Sequence, residues 1–169
     1  MATNEPLVFD PIAEARRQWI AHGWQEAAGG MAAVTSLVRA HQILVSRVDK
    51  VLVPHQLTFS RFEVLVLLSF TRLGSMAMGR MSSRLQVAPG SVTNAVARLE
   101  RQGLVRRIAH PTDGRATLAE ITPAGRQVAA AATADVNAEV FMSLGLTDAE
   151  QAQLFRLLGK LRHHAGDIV

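Results

Sequence analysis

Cysteine is absent from this chain. That excludes disulfides, thiolate zinc sites and thiol redox switches. Long apolar runs are absent too: no stretch of about 18 uncharged apolar residues occurs, so no membrane span is expected. The opening MATNEPLVFD lacks the basic-then-apolar order of a signal peptide, and a cytoplasmic location is therefore expected. Catalytic signatures are missing as well. No glycine-rich phosphate loop follows a strand, no serine sits in a nucleophile elbow, and the acids are scattered singly. His163 and His164 are adjacent, so on a helix they point about 100° apart and make poor co-ligands. The chain reads as a non-enzyme with no metal and no cofactor. Internal repeats and low-complexity linkers are also lacking, although residues 129–134 are rich in alanine.

What remains is ample for folding. Apolar residues make up 49% of the 169 positions, enough for one domain with a real core, or one domain with helical extensions. The most informative stretch is 78–125, MGRMSSRLQVAPGSVTNAVARLERQGLVRRIAHPTDGRATLAEITPAG. Met78, Met81 and Leu85 fall on one helical face, and so do Val92, Val96 and Leu99. Between the two patterns, the Pro89-Gly90 pair is expected to stop one helix and turn sharply into the next. The opposite face of the second pattern carries Ser91, Asn94, Arg98 and Arg101, all able to hydrogen-bond or meet a phosphate. This is the pattern of a helix-turn-helix. Gly103 suits a helix C-terminus, LVRRIA reads as a strand, and Asp113-Gly114 turns it into a returning ATLAEI strand. A helix-turn-helix followed by a basic hairpin is a winged helix, with the second helix in the DNA major groove and the wing on the backbone or in the minor groove.

Charge placement agrees. Residues 78–126 hold eight arginines against Glu100, Asp113 and Glu120, so the whole net charge of +4 resides there, the rest of the chain being slightly acidic. A basic patch confined to one module is the footprint of a nucleic-acid binder. Ser91, Thr93, Asn94 and Arg98 lie where base edges are read: Arg98 suits guanine and Asn94 adenine. Arg80, Ser82 and Ser83 suit the DNA backbone, and Arg115 the minor groove.

SVTNAVARLERQGLVRR, followed by Asp113-Gly114-Arg115 and Ile121-Thr122-Pro123-Ala124-Gly125, resembles the MarR family of bacterial transcription regulators. Two positions depart from that pattern: Ile121 replaces a usual leucine, and Gly114 a common arginine. The resemblance implies a homodimer on a pseudo-palindromic double-stranded operator, acting as a repressor released by a small aromatic or anionic effector. One branch of the family, responsive to urate-like anions, carries an extra N-terminal helix bearing a tryptophan, matched here by Trp19. The same branch implies effector roles for Glu63 and Arg107, but has an arginine where this chain has Ala95. Trp19, His41, Phe62, Glu63 and Arg107 are the candidate effector residues, with a Glu63–Arg107 pair tying wing to body when the pocket is empty. The rival reading is a DNA-architectural or protein-binding winged helix without a small-molecule effector.

The remaining chain supplies helices. Asp10-Pro11 reads as a helix start, leading to Trp19 and ending near Gly23; Trp19 and Trp24 are expected to pin this helix onto the body. A second helix is expected from Met31, after Gly29-Gly30, to Val53. Its broad apolar face suits a second chain, and His41 sits within that stripe. Thr58 or Ser60 is expected to cap the next helix, and Ser60 with Glu63 fits a capping box. Pro123 opens a long helix, and Thr147 with Glu150 caps the last, whose Leu154, Leu157, Leu158 and Leu161 share a face. The expected class is mainly α: an extra helix and first dimerisation helix over 1–57, a winged helix-turn-helix over 58–122, and dimerisation helices over 123–169.

Overall fold

The computed structural model describes residues 8–110, 112 and 117–168. Asp113, Gly114 and Arg115, the expected wing turn and its minor-groove arginine, lie outside the described residues. The chain divides into two compact units, 1–50 and 51–169. Among the described residues, no single helix is long and apolar enough to cross a membrane.

The first unit is helical. α1 (Pro11–Ala21) starts where its sequence dictates: Asp10 Oδ1 accepts the Ile12 N–H at 2.9 Å, and Pro11 fills the first turn. Trp19 meets Trp24 edge-on, with ring centroids 5.3 Å apart. α2 (Gln25–Leu52) begins before Gly29-Gly30 and runs through them. Each glycine costs a helix interior roughly 1 kcal/mol, which the good helix formers on either side offset. Along α2, Val34, Leu37, Val38 and Ile43 are exposed. His41 is exposed too, so it is not a core histidine.

The second unit holds the larger core. A 3-10 turn (Val53–His55) leads to α3 (Phe59–Ser69), which buries Phe62, Val64, Leu65 and Leu68. The expected Ser60–Glu63 capping box does not form. The N-cap is Thr58, which places Ser60 inside the first turn, where its hydroxyl no longer faces the free amides. β1 (Ser75–Ala77) is a strand the sequence did not announce, since three residues carry no usable alternation. α4 (Met78–Leu85) and α5 (Pro89–Arg101) follow. β2 (Val105–Ala109) and β3 (Thr117–Ile121) then form the wing, with β3 central in an antiparallel sheet of order β1-β3-β2. α3 touches α4, α5, β3 and α6 (Pro123–Val136), so it is the beam behind the helix pair.

Gly125 shows why α6 starts where it does. Thr122 accepts the Gly125 N–H at 3.0 Å and donates to the Gly103 carbonyl at 2.8 Å. A β-carbon on Gly125 would lie 2.1 Å from the Leu104 carbonyl oxygen. Only glycine lets α6 approach the end of α5 so closely. After a π-helical turn (Asn137–Phe141), α7 (Asp148–His164) opens with the expected Thr147–Glu150 capping box. It buries none of its residues, and Leu154, Phe155, Leu157 and Leu161 stay exposed.

Candidate nucleic-acid interface

α5 is divided lengthwise. Val92, Ala95, Val96 and Leu99 are buried against the body, which leaves Ser91, Thr93, Asn94, Arg98 and Arg101 exposed. Ala95 is thus a core residue whose small side chain lets α5 sit close to its neighbours, not a member of the reading face. Thr93 donates to the Pro89 carbonyl at 3.0 Å, fixing its rotamer while its oxygen can still accept. Arg98 makes no hydrogen bond or ion pair among the described residues. An unpaired guanidinium on a rigid helix is ready for a planar pair of acceptors such as guanine offers. Pro89 occupies the first helical turn, and Ala88 at the N-cap offers no side-chain oxygen. Pro89 has no N–H and the Ser91 N–H donates to the Ala88 carbonyl at 2.9 Å, so the Gly90 amide is the first-turn donor left open to an anion.

The turn between α4 and α5 differs from its sequence reading. Pro89-Gly90 does not stop α4; Gln86 does, in the left-handed conformation at φ 54°. Pro89 instead opens α5, because its fixed φ suits a first turn and its missing N–H is not needed there. Ser82, expected to touch the DNA backbone, is buried and donates to the Val87 carbonyl at 2.6 Å. Its hydroxyl closes the turn and cannot reach a phosphate. Ser83 and Arg80 are exposed, with the Ser83 hydroxyl on the Gly79 carbonyl at 3.2 Å. Arg80 also belongs to a feature that sequence reading missed. It lines an open cleft of about 530 Å³ together with Phe70, Arg72, Leu73, Arg84 and His110. Among the described residues, Arg72, Arg80 and Arg84 have no polar partner and no carboxylate lines the cleft. The cleft lies between α4 and the base of the wing. Arg72 comes from the turn after α3, and Arg80 and Arg84 from one face of α4, so no single local motif could have signalled it.

The wing and α5 are tied together. The Arg107 backbone N–H donates to Glu100 Oε1 at 3.2 Å, and its guanidinium lies 3.6 Å from Glu100 Oε2. The expected pairing of Arg107 with Glu63 is thereby corrected. Glu100, near the end of α5, is brought to β2 by the short connection through Gly103. On the neighbouring pair of the ladder, Arg106 stands opposite Glu120 and binds it. That hydrogen bond, with the charge of Glu120, raises the Arg106 guanidinium pKa above its ordinary value.

The other candidate effector residues do not gather within the second unit. Phe62 is a core residue. Glu63 is half-buried, and the loss of hydration raises its carboxyl above the usual range. It lines a cavity of only about 30 Å³ with Ser60, Leu85, Val87, Ser91 and Val92, room for roughly one water. Trp19 and His41 belong to the first unit.

Comparison with known proteins assigns the fold a lineage. The MarR family model matches residues 57–117. The HTH-type transcriptional regulator MhqR of Bacillus subtilis (strain 168) is 35% identical over 89 residues, covering 53% of this chain and 60% of MhqR. The chain therefore aligns with less than two thirds of the length of this curated relative. Solved structures match further. Sco5413, a MarR family transcriptional regulator from Streptomyces coelicolor, is 45% identical with a TM-score of 0.75, over 83% of this chain and 98% of its own. Sco3205 from the same organism, solved in complex with DNA, is 25% identical with a TM-score of 0.69, over 78% and 85%. CouR from Rhodococcus jostii RHA1, solved bound to p-coumaroyl-CoA, is 28% identical with a TM-score of 0.65, over 74% and 87%. The bare polar stripe on α5, the wing tied to its end, and a near full-length match to Sco5413 lead to one assignment: this chain belongs to the MarR family of winged helix-turn-helix, DNA-binding transcription regulators.

Proposed function

We propose that the protein is a homodimeric repressor that holds a pseudo-palindromic operator and leaves it when a small aromatic or anionic molecule binds. The observation that carries the DNA half of this reading is the lengthwise division of α5. Its buried face is rigidly seated, and its exposed face offers Ser91, Thr93, Asn94 and Arg98 to base edges. Arg80 and Ser83 serve the backbone, with Arg72 and Arg84 added by the cleft, and Arg115 is assigned to the minor groove. Residues 58–122 act as the reading module, and 1–57 and 123–169 as assembly helices. Exposed leucines along α7 and valines along α2 support a partner copy, since contiguous apolar faces of this kind are usually covered in a stable protein. Anisotropy titration of an operator duplex and a scrambled duplex, at several salt concentrations, tests the reading. Tight, salt-dependent binding to the operator with a large specific-to-random ratio is expected; equal affinity for both sequences would overturn it.

The effector half draws on CouR, whose structure contains p-coumaroyl-CoA. A regulator without an effector is the second reading, favoured by a specific observation: Phe62 is core, Glu63 is half-buried beside a cavity of only about 30 Å³, and Arg107 is paired with Glu100. A thermal-shift screen of aromatic acids, followed by DNA-release assays, separates the two. A compound that both stabilises the protein and releases DNA supports the effector; stabilisation without release sinks this mechanism.

A further inference from the structure

The α4–α5 turn is held from an unexpected direction. Gln86 is fixed at its backbone by its own N–H to the Ser82 carbonyl. Its side chain reaches the end of α7, with Nε2 donating to Asp167 Oδ1 at 3.0 Å and Oε1 accepting from Arg162 Nη2 at 2.9 Å. Arg162 Nε closes the ring by donating to Asp167 Oδ2 at 2.6 Å. Each of the three side chains thus spends two polar atoms on the other two. Gly166 makes the ring possible: at φ 70° it reverses the chain after α7 and swings Asp167 back onto Arg162.

Stability does not explain this arrangement. The Arg162 and Asp167 side chains are 42% and 40% exposed, and such surface pairs contribute about 0–1 kcal/mol. Position does explain it. α7 buries nothing along its length, yet its tip grips the residue that ends α4, just ahead of Pro89, where α5 begins. We propose that Gln86, Arg162 and Asp167 form a latch that sets the posture of the reading helix relative to the assembly helices, and with it the half-site spacing that a dimer accepts. Gln86, Arg162 and Asp167 are positioning residues; none of them is assigned to a base. The proposal rests on the dimeric-repressor reading above.

Two variants test it. Gln86→Gly removes the amide while suiting the left-handed backbone, so folding is retained. Asp167→Asn keeps the shape and removes the charge. Each is titrated, beside wild type, against operators whose half-sites are moved together or apart by one base pair. Wild type should favour one spacing, and both variants should flatten that preference by about fivefold or more, the low end of coupling between sites. Their affinity for a duplex with a single half-site should stay near that of wild type. An unchanged spacing preference in both variants overturns the latch and leaves the regulator reading intact. Failure of wild type to bind any duplex overturns the regulator reading, and the latch with it.

Discussion

Arg98 is the residue on which base reading should depend most. It is exposed and unpaired among the described residues, on a helix whose other face is buried. Arg98→Ala is expected to weaken operator binding by about 1–3 kcal/mol and to relax preference at one position of each half-site. Competition titrations with single-base operator variants check this. Glu63 offers a test of a different kind. Desolvation raises its folded-state pKa above the unfolded value. The native state therefore holds its proton more tightly, and the protein loses stability as pH rises from the unfolded pKa through the folded one. Glu63→Gln should raise the melting temperature at neutral pH, and the advantage should vanish below the ordinary carboxylate range. A constant difference at every pH would contradict burial as the cause. The exposed polar set on α5 was legible from helical spacing alone. Ser82 was not, because only the folded turn shows that its hydroxyl is taken by Val87.

At the scale of elements, the junction between α5, β2 and α6 is closely packed around Gly125. Gly125→Ala would place a methyl group 2.1 Å from a backbone oxygen and 2.9 Å from Ile121. A carbonyl in a strand connection cannot move aside cheaply, so a loss of about 1–3 kcal/mol is expected in urea unfolding. Glu100→Gln should loosen the wing by weakening its hold on Arg107. The measured sign would be faster amide exchange in β2 with little change in overall stability, because half-exposed ion pairs contribute only about 0–1 kcal/mol. Helix ends were partly legible. Asp10, Thr147 and Pro123 act as expected, because capping is decided within three or four residues. The Ser60–Glu63 box and the Pro89-Gly90 stop were misplaced, because several residues competed for one boundary and the tertiary seat of each helix chose among them.

For the whole molecule, assembly is the decisive measurement. Leu154, Leu157 and Leu161 on α7 are 40%, 51% and 53% exposed in the single chain. Covering the exposed half of each would contribute about 0.7–1.5 kcal/mol, half the value for a wholly exposed leucine. Leu157→Glu should therefore leave a folded monomer, or unfold the chain, and abolish tight operator binding. Sedimentation velocity reads the mass directly; a stable wild-type monomer at micromolar concentration would remove the basis for a two-fold operator.

The amino-acid sequence by itself determined the class, the helix-turn-helix, the wing and the exposed polar face of α5. Each is written in local periodicity, turn chemistry or the confinement of positive charge to one module. The tertiary structure alone decided which polar groups are already engaged. It assigned Glu100 to Arg107, half-buried Glu63, placed three arginines around one cleft and brought Asp167 to Gln86. Those pairings join residues that are close in space but carry no periodic or short-range signature. They arise only when α3 seats the helix pair and the chain beyond the wing returns past it.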